Sequence, residues 1–174
     1  MTPVVIALGS NLGDRRLHLR RAIARINNFV NLHRLSSVWE TVPVDAPAGS
    51  GSFLNMVAAG STTLSAGVLL DSLHEVERGM GRVRRRLNEP RIIDLDLIFF
   101  GAQISRSKTL DLPHPRYANR SFVLQPLAEL ALPWIDPRSG AALDSLPAAG
   151  EGRSQGGLYD SFARRSRFGA STPA

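Results

Sequence analysis

The stretch Ile92-Ile93-Asp94-Leu95-Asp96-Leu97-Ile98-Phe99-Phe100 constrains the fold more than any other part of the chain. It is rich in β-branched and aromatic side chains, and its carboxylates fall only at alternate positions, which fits an extended strand. Successive strand side chains point to opposite faces. Ile93, Leu95, Leu97 and Phe99 are therefore expected on one wholly apolar face, and Asp94, Asp96, Ile98 and Phe100 on the other. An apolar face of this kind has to be covered by a second layer. The Asp94 and Asp96 Cα atoms should lie about 6.5–7 Å apart. Two carboxylates that close repel unless a cation lies between them. Hard oxygen ligands paired this way suit Mg²⁺, which keeps several waters and bridges to phosphates. A strand with one solvated face would also carry an Asp-x-Asp, but the run into Ile98 and Phe100 weighs against a purely polar face.

The remaining periodicities alternate strand and helix. Residues 4–8 read as a buried strand, broken by Gly9-Ser10-Asn11-Leu12-Gly13-Asp14. Asp14 is placed to cap a helix over 14–28, where Leu19, Ala22, Ile23 and Ile26 recur at helical spacing opposite Arg16, Arg20 and Arg21. Residues 33–41 and 53–63 read as strands around a Pro-, Gly- and Ser-containing loop at 42–52. Residues 65–80 repeat the amphipathic pattern through Leu69, Leu73, Val76 and Met80. A basic irregular stretch at 81–90, a short return strand near 103–105 and a third helix within 119–130 complete the chain's elements. Leu112-Pro113-His114-Pro115 is a rigid connector, since a residue before Pro is held extended. Strand, helix, two strands, helix, strand is the order of a split βαβ unit. The expected fold is α+β, a ferredoxin-like α/β sandwich with a mainly antiparallel sheet.

At 174 residues the chain suits one domain. It has no Cys, which excludes disulfides, thiolate zinc sites and Cys nucleophiles. The catalytic domain is expected over 1–149. Residues 150–174, rich in Gly, Ser and Arg, read as a weakly ordered tail outside the core. No basic leader precedes the first strand, and no run approaches the roughly 20 apolar residues of a membrane span. A cytoplasmic protein with no membrane partner is expected. No fusion partner follows the tail, so one activity and a monomer are expected.

The net charge of +6 leaves nucleic acid, anionic membrane or a phosphorylated small molecule open as partner. Arg82, Arg84, Arg85, Arg86 and Arg91 lie directly before the carboxylates. Guanidinium forks match phosphate oxygens, so this adjacency favours polyphosphate over a solvated basic loop or a nucleic-acid patch. Gly9-Ser10-Asn11-Leu12-Gly13-Asp14 is an anion site or simply a tight turn, and it lacks a P-loop ending. His114 donates to a phosphate or caps a loop. Glu77 is a salt-bridge partner or a support for the Arg loop.

Several segments together resemble one known family. Ala7-Leu8-Gly9-Ser10-Asn11-Leu12-Gly13-Asp14, Ser36-Ser37-Val38-Trp39-Glu40-Thr41, Phe53-Leu54-Asn55, Glu77 with Gly81-Arg82-Val83-Arg84, Pro90-Arg91-Ile92-Ile93-Asp94-Leu95-Asp96, and Leu112-Pro113-His114 with Asn119-Arg120-Ser121-Phe122 stand in family order. Over residues 4 to 130 the chain resembles 6-hydroxymethyl-7,8-dihydropterin pyrophosphokinases of folate biosynthesis. The resemblance implies transfer of an intact pyrophosphoryl group from ATP to the pterin hydroxymethyl oxygen, with AMP released. It implies attack on the β-phosphorus and two Mg²⁺ ions on the triphosphate.

Carried over by position, Asp94 and Asp96 are metal ligands, and Arg82, Arg91 and Asp96 are catalytic. Thr41, Val44, Phe53, Asn55 and Phe122 hold the pterin, with Phe53 and Phe122 stacking on it. Glu77, Arg82, Arg84, Arg85, Arg91, Leu97, His114 and Arg120 serve ATP. ATP is expected to bind first and to order loops 44–52 and 83–89 as lids. No dedicated general base stands out, although Asp96 could accept the hydroxyl proton. Leu87, Glu89, Thr109 and Pro115 depart from the family pattern, and Phe53 stands where a Tyr is familiar. Two rivals stay open. An RNA-binding module would show aromatics in its strand signatures, and residues 4–8 have none. A nucleotidyltransferase would release pyrophosphate, not AMP.

Overall fold

The structure is a computed structural model that describes residues 1–41, 51–82, 90–143 and 153–154. Its strands are β1 (Thr2–Ser10), β2 (Asn31–Leu35), β3 (Trp39–Thr41), β4 (Phe53–Thr62), β5 (Asp94–Phe100), β6 (Ser105–Arg106), β7 (Asp111–Leu112) and β8 (Arg153–Ser154). Its helices are α1 (Arg15–Ile26), α2 (Ala66–Gly79) and α3 (Ser121–Glu129), the last preceded by a 3₁₀ turn at Tyr117–Asn119. The main sheet runs β5-β1-β4-β3-β8, with β2 also paired to β4, and every pairing is antiparallel. Taking β2 and β3 as one interrupted strand, this is the ferredoxin-like arrangement expected from the element order.

Both long helices start as their sequences dictate. Asp14 Oδ1 accepts from Leu17 N at 3.0 Å, and Ser65 caps α2 through Val68 N. Leu19, Ala22, Ile23 and Ile26 of α1 and Leu69, Leu73 and Val76 of α2 pack against Val4, Ile6, Leu8, Met56, Leu95 and Leu97 on one sheet face. The other face is covered only in part. There α3 lays Val123, Leu124 and Leu127 over Val5, Val57, Ala59, Ile98 and Phe99. The uncovered remainder of that face holds Asp94 and Asp96.

Several elements depart from the sequence reading. The strand expected over 33–41 is two, because Ser36–Val38 leaves the ladder while the Ser36 hydroxyl accepts from Val57 N at 2.9 Å. The short return strand pairs with Asp111–Leu112 as a separate hairpin, not with the main sheet. Within β5 the register shifts: Val5 faces Phe99 but Ile6 faces Leu97, leaving Ile98 as the extra residue. Phe99 therefore lies under α3 and Phe100 under the α1/α2 layer, the reverse of simple alternation. Ile98 stays on the carboxylate side as expected. Arg153 and Ser154 pair with Glu40 and Trp39, adding two residues to the edge of the sheet.

Packing between β2 and β4 leaves no room for a side chain at Gly60, where an added Cβ would lie 2.7 Å from the Asn31 carbonyl and 2.8 Å from Val30 Cγ1. Gly60→Ala is expected to cost about 1–3 kcal/mol of stability through overpacking. Urea unfolding of the two proteins checks this, and an unchanged midpoint would contradict it.

Candidate active site

Four strands bring the polar residues together. Asp94, Gly9, Asn55 and Trp39 are register partners in a row across β5, β1, β4 and β3. Asp96, Ala7 and Val57 form the next row. The floor between the flanking side chains is thus small: glycine, then alanine. A Cβ on Gly9 would fall 2.9 Å from Asn55 Oδ1 and 3.9 Å from Asp94 Cβ. Asn55, buried, donates from Nδ2 to Thr41 Oγ1 at 2.7 Å. Phe53 is the register partner of Thr41. Phe122 stands at the start of α3, with the Arg120 guanidinium 5.4 Å from its ring centre, and Arg91 lies 5.8 Å from that of Phe53. Each aromatic is thereby coupled to a cation beside a carboxylate.

Glu77 and Arg82 reach the site through the end of α2. Gly81 adopts φ +90°, the left-handed conformation that ends helices, and its N–H returns to Arg78 O at 2.9 Å. The turn brings Arg82 back onto its own helix, with its N–H on Glu77 O at 3.0 Å. The Arg82 Nη1 donates to Glu77 Oε1 and, at 2.6 Å, to Asp94 Oδ1. Glu77 Oε1 also accepts from Leu95 N at 2.8 Å. Arg91 Nε lies 3.4 Å from Asp94 Oδ2. Its backbone is held by the first loop, since Arg91 N donates to Asn11 Oδ1 at 2.7 Å and Asn11 N to Arg91 O at 3.2 Å. Ser10 Oγ donates to Ile92 O at 2.6 Å. The Gly9–Asp14 turn therefore uses its Ser and Asn to seat the arginine-bearing entry to β5.

Asp96 has its own cations. Arg120 Nη1 lies 3.4 Å from Asp96 Oδ2, and His114 Nε2 is 4.0 Å from the same oxygen. His114 is held to β5 by its N–H, which donates to Ile98 O at 2.9 Å, and the Leu112–Pro113 bond before it is cis. Its Nδ1 accepts from Arg116 N at 3.2 Å, so a neutral ring carries its proton on Nε2, facing Asp96. Burial, and then the Asp94 charge, pushes the Asp96 carboxyl above its ordinary value despite His114, Arg120 and Arg82. Burial lowers His114, with Asp96 opposing, and burial likewise lowers Arg120. Two partly exposed carboxylates on one strand face, with guanidiniums at the rim, fit a divalent cation carrying waters and phosphate oxygens.

The structure brings Thr41, Phe53, Asn55, Glu77, Arg82, Arg91, Asp94, Asp96, His114, Arg120 and Phe122 into one region. The Leu97 side chain is buried in the core beneath α1 and α2, on the face away from Asp94 and Asp96, so only its backbone is left to meet a nucleotide. Simple alternation along β5 already placed it there. Val44, Arg84, Arg85, Leu87 and Glu89, and most of the two expected lids, lie outside the described residues. Sequence reasoning missed Gly9 and Ala7 as the floor, although two small residues on one face of a buried strand signal a close approach. It also missed Glu129, which accepts from Ser37 N at 2.6 Å and Trp39 Nε1 at 2.7 Å and ties α3 to β3.

Comparison with known proteins matches this arrangement to one family. The family described as 7,8-dihydro-6-hydroxymethylpterin-pyrophosphokinase (HPPK) matches residues 5–132. The 2-amino-4-hydroxy-6-hydroxymethyldihydropteridine pyrophosphokinase of Bacillus subtilis is 40% identical over 127 residues, covering 72% of this chain and 75% of that protein. That of Aquifex aeolicus is 34% identical over 137 residues, covering 79% and 85%. Among solved structures, wild-type Plasmodium falciparum HPPK-DHPS superposes with a TM-score of 0.64 at 14% identity, a likeness of fold. The match covers 83% of this chain, which spans 44% of that solved chain.

The raised Asp96 value has a stability consequence. Its folded-state pKa exceeds the unfolded one, so the folded protein binds the extra proton and loses stability as pH rises through the folded value. Asp96→Asn should therefore gain on wild type as pH rises and lose that advantage in acid. Thermal unfolding in chelator between pH 4 and 8 measures it; an advantage independent of pH would contradict the assignment.

Proposed function

The chain belongs to the 7,8-dihydro-6-hydroxymethylpterin-pyrophosphokinase family, and on that premise we propose how its residues divide the work. It is an ATP-dependent diphosphokinase that transfers pyrophosphate from ATP to 6-hydroxymethyl-7,8-dihydropterin, giving AMP and the pterin diphosphate in folate biosynthesis. The observation that carries the division is the row Asp94–Gly9–Asn55, which sets a paired-carboxylate region beside a flat, small-floored slot.

The pterin lies over Gly9, with Asn55 and Thr41 reading its polar edge and Phe53 and Phe122 stacking on its faces. Each ring has one face toward a guanidinium, Phe53 toward Arg91 and Phe122 toward Arg120. Val44 adds to this slot from its position in the sequence. Asp94 and Asp96 hold Mg²⁺, two ions by family resemblance. When bound, the metal neutralises phosphate charge and aligns the β-phosphorus for in-line attack. Arg82 and Arg91 are placed to follow the charge that develops on the transferring group. In the structure both guanidiniums rest on Asp94, so phosphate oxygens must take them over from that carboxylate. Arg120 and His114 flank the Asp96 side and serve the nucleotide phosphates, with Arg84 and Arg85 assisting from the adjacent loop.

Asp96 is the proton acceptor for the attacking hydroxyl. The catalytic unit is residues 1–149, acting as a cytoplasmic monomer without nucleic-acid or membrane partners. Among the described residues no helix is long and apolar enough to cross a membrane.

Transition-state guanidiniums can contribute about 10³–10⁵ in rate. Arg91→Ala is therefore expected to lower kcat by at least about 10³-fold while changing pterin affinity little. Rapid-quench turnover combined with pterin binding checks this, and a full-rate variant would sink the assignment. The same incubation, analysed for nucleotide products, should show AMP; free pyrophosphate in its place would favour nucleotidyl transfer.

A further inference from the structure

Helix α1 opens on Arg15 and Arg16, with no acidic residue in its first turn. A helix N-terminus carries partial positive charge, so cations there work against the helix. Local choices that oppose the fold tend to mark residues serving another purpose. The Arg15 guanidinium turns off the helix toward the sheet. Its Nη1 donates to Glu40 Oε1 at 2.9 Å, to Ser52 Oγ at 2.8 Å and to the Ser52 carbonyl at 2.8 Å. Ser52 Oγ donates in turn to Glu40 Oε1 at 2.5 Å. The Ser52 hydroxyl and the Arg15 guanidinium hold the Glu40 carboxyl below its ordinary value, so it is charged at neutral pH.

These acceptors flank the slot. Glu40 directly precedes Thr41, Ser52 directly precedes Phe53, and Thr41 and Phe53 are register partners. Because strand side chains alternate, Glu40 faces away from Thr41, and the clamp grips the two strands from outside the slot. We propose that Arg15 is a positioning residue for the pterin, fixing Thr41 against Phe53 through Glu40 and Ser52. The inference rests on the assignment of Thr41, Phe53 and Asn55 to the pterin. One nitrogen joining both chain segments adds a side-chain tie at the Thr41–Phe53 end of the short β3–β4 ladder.

Steady-state kinetics on the full chain test it. Arg15→Gln should raise the pterin KM about tenfold while kcat and the ATP KM stay within about twofold, the signature of lost uniform binding to one substrate. Glu40→Gln should act in the same direction, and the double variant should be no worse than the worse single one. Arg15→Lys should restore part of the loss. An unchanged pterin KM, an equal rise in the ATP KM, or additive effects would overturn the proposal. Should Arg15→Gln fail to fold, Ser52→Ala carries the same expectation and the same contradiction. Asn55→Ala runs alongside. If it leaves the pterin KM unchanged, the pterin assignment fails and the clamp falls with it. If it raises that KM while Arg15→Gln does not, the clamp alone fails.

Discussion

The Glu77 carboxylate is 2% exposed and holds two donors on one oxygen, the Leu95 N–H from β5 and the Arg82 guanidinium from the end of α2. A buried carboxylate stripped of its partners would cost several kcal/mol, roughly 3–5 for breaking such a pair. The contact therefore fixes where α2 ends relative to the strand that carries both site carboxylates. Arg82 inherits its position from this arrangement and passes it to Asp94. One oxygen atom thus joins the end of α2, the carboxylate strand and the first guanidinium of the site. The other guanidiniums are held differently, Arg91 by the Asn11 backbone exchange and Arg120 by the turn into α3.

Much of this was legible in sequence because it is local. Capping by Asp14 and Ser65, the helical stripes and the Asp-x-Asp spacing each depend on residues a few positions apart. The family segments then gave the site residues their companions. What stayed hidden depends on long loops closing. Glu129 meets Ser37 and Trp39, and Ser10 meets Ile92, across separations of more than 80 residues. No periodicity encodes those meetings. The exchange of Phe99 and Phe100 was hidden for a different reason, since a one-residue register shift leaves no mark in composition. Leu97 shows the local rule at work: alternation placed its side chain in the core, and the structure has it there.

The basic excess also gains a physical account. Asp94 and Asp96 would repel one another in a half-buried setting, and Arg82, Arg91 and Arg120 offset that repulsion at the cost of desolvating their own charges. Burial lowers Arg120 and His114 at the same time as it raises Asp96, so the region carries opposing ionic strains. Such a region is less stable than an apolar patch of equal size, and a polyanion with its counter-cation would relieve it. The first helix spends one of its arginines differently, on carboxylate and hydroxyl acceptors at the neighbouring hairpin.

The extra residue in β5 has a further effect on the strand itself. Ahead of Ile98 the strand answers to Gly9 and Ala7, and beyond it to Val5 and Val4 in a shifted frame. The two ends of one strand therefore pair with β1 in different frames. Phe99 then packs against α3 and Phe100 against the α1/α2 layer, while both aspartates lie ahead of the shift. The paired carboxylates and the aromatic packing share one backbone, and the extra residue sets the frame of each.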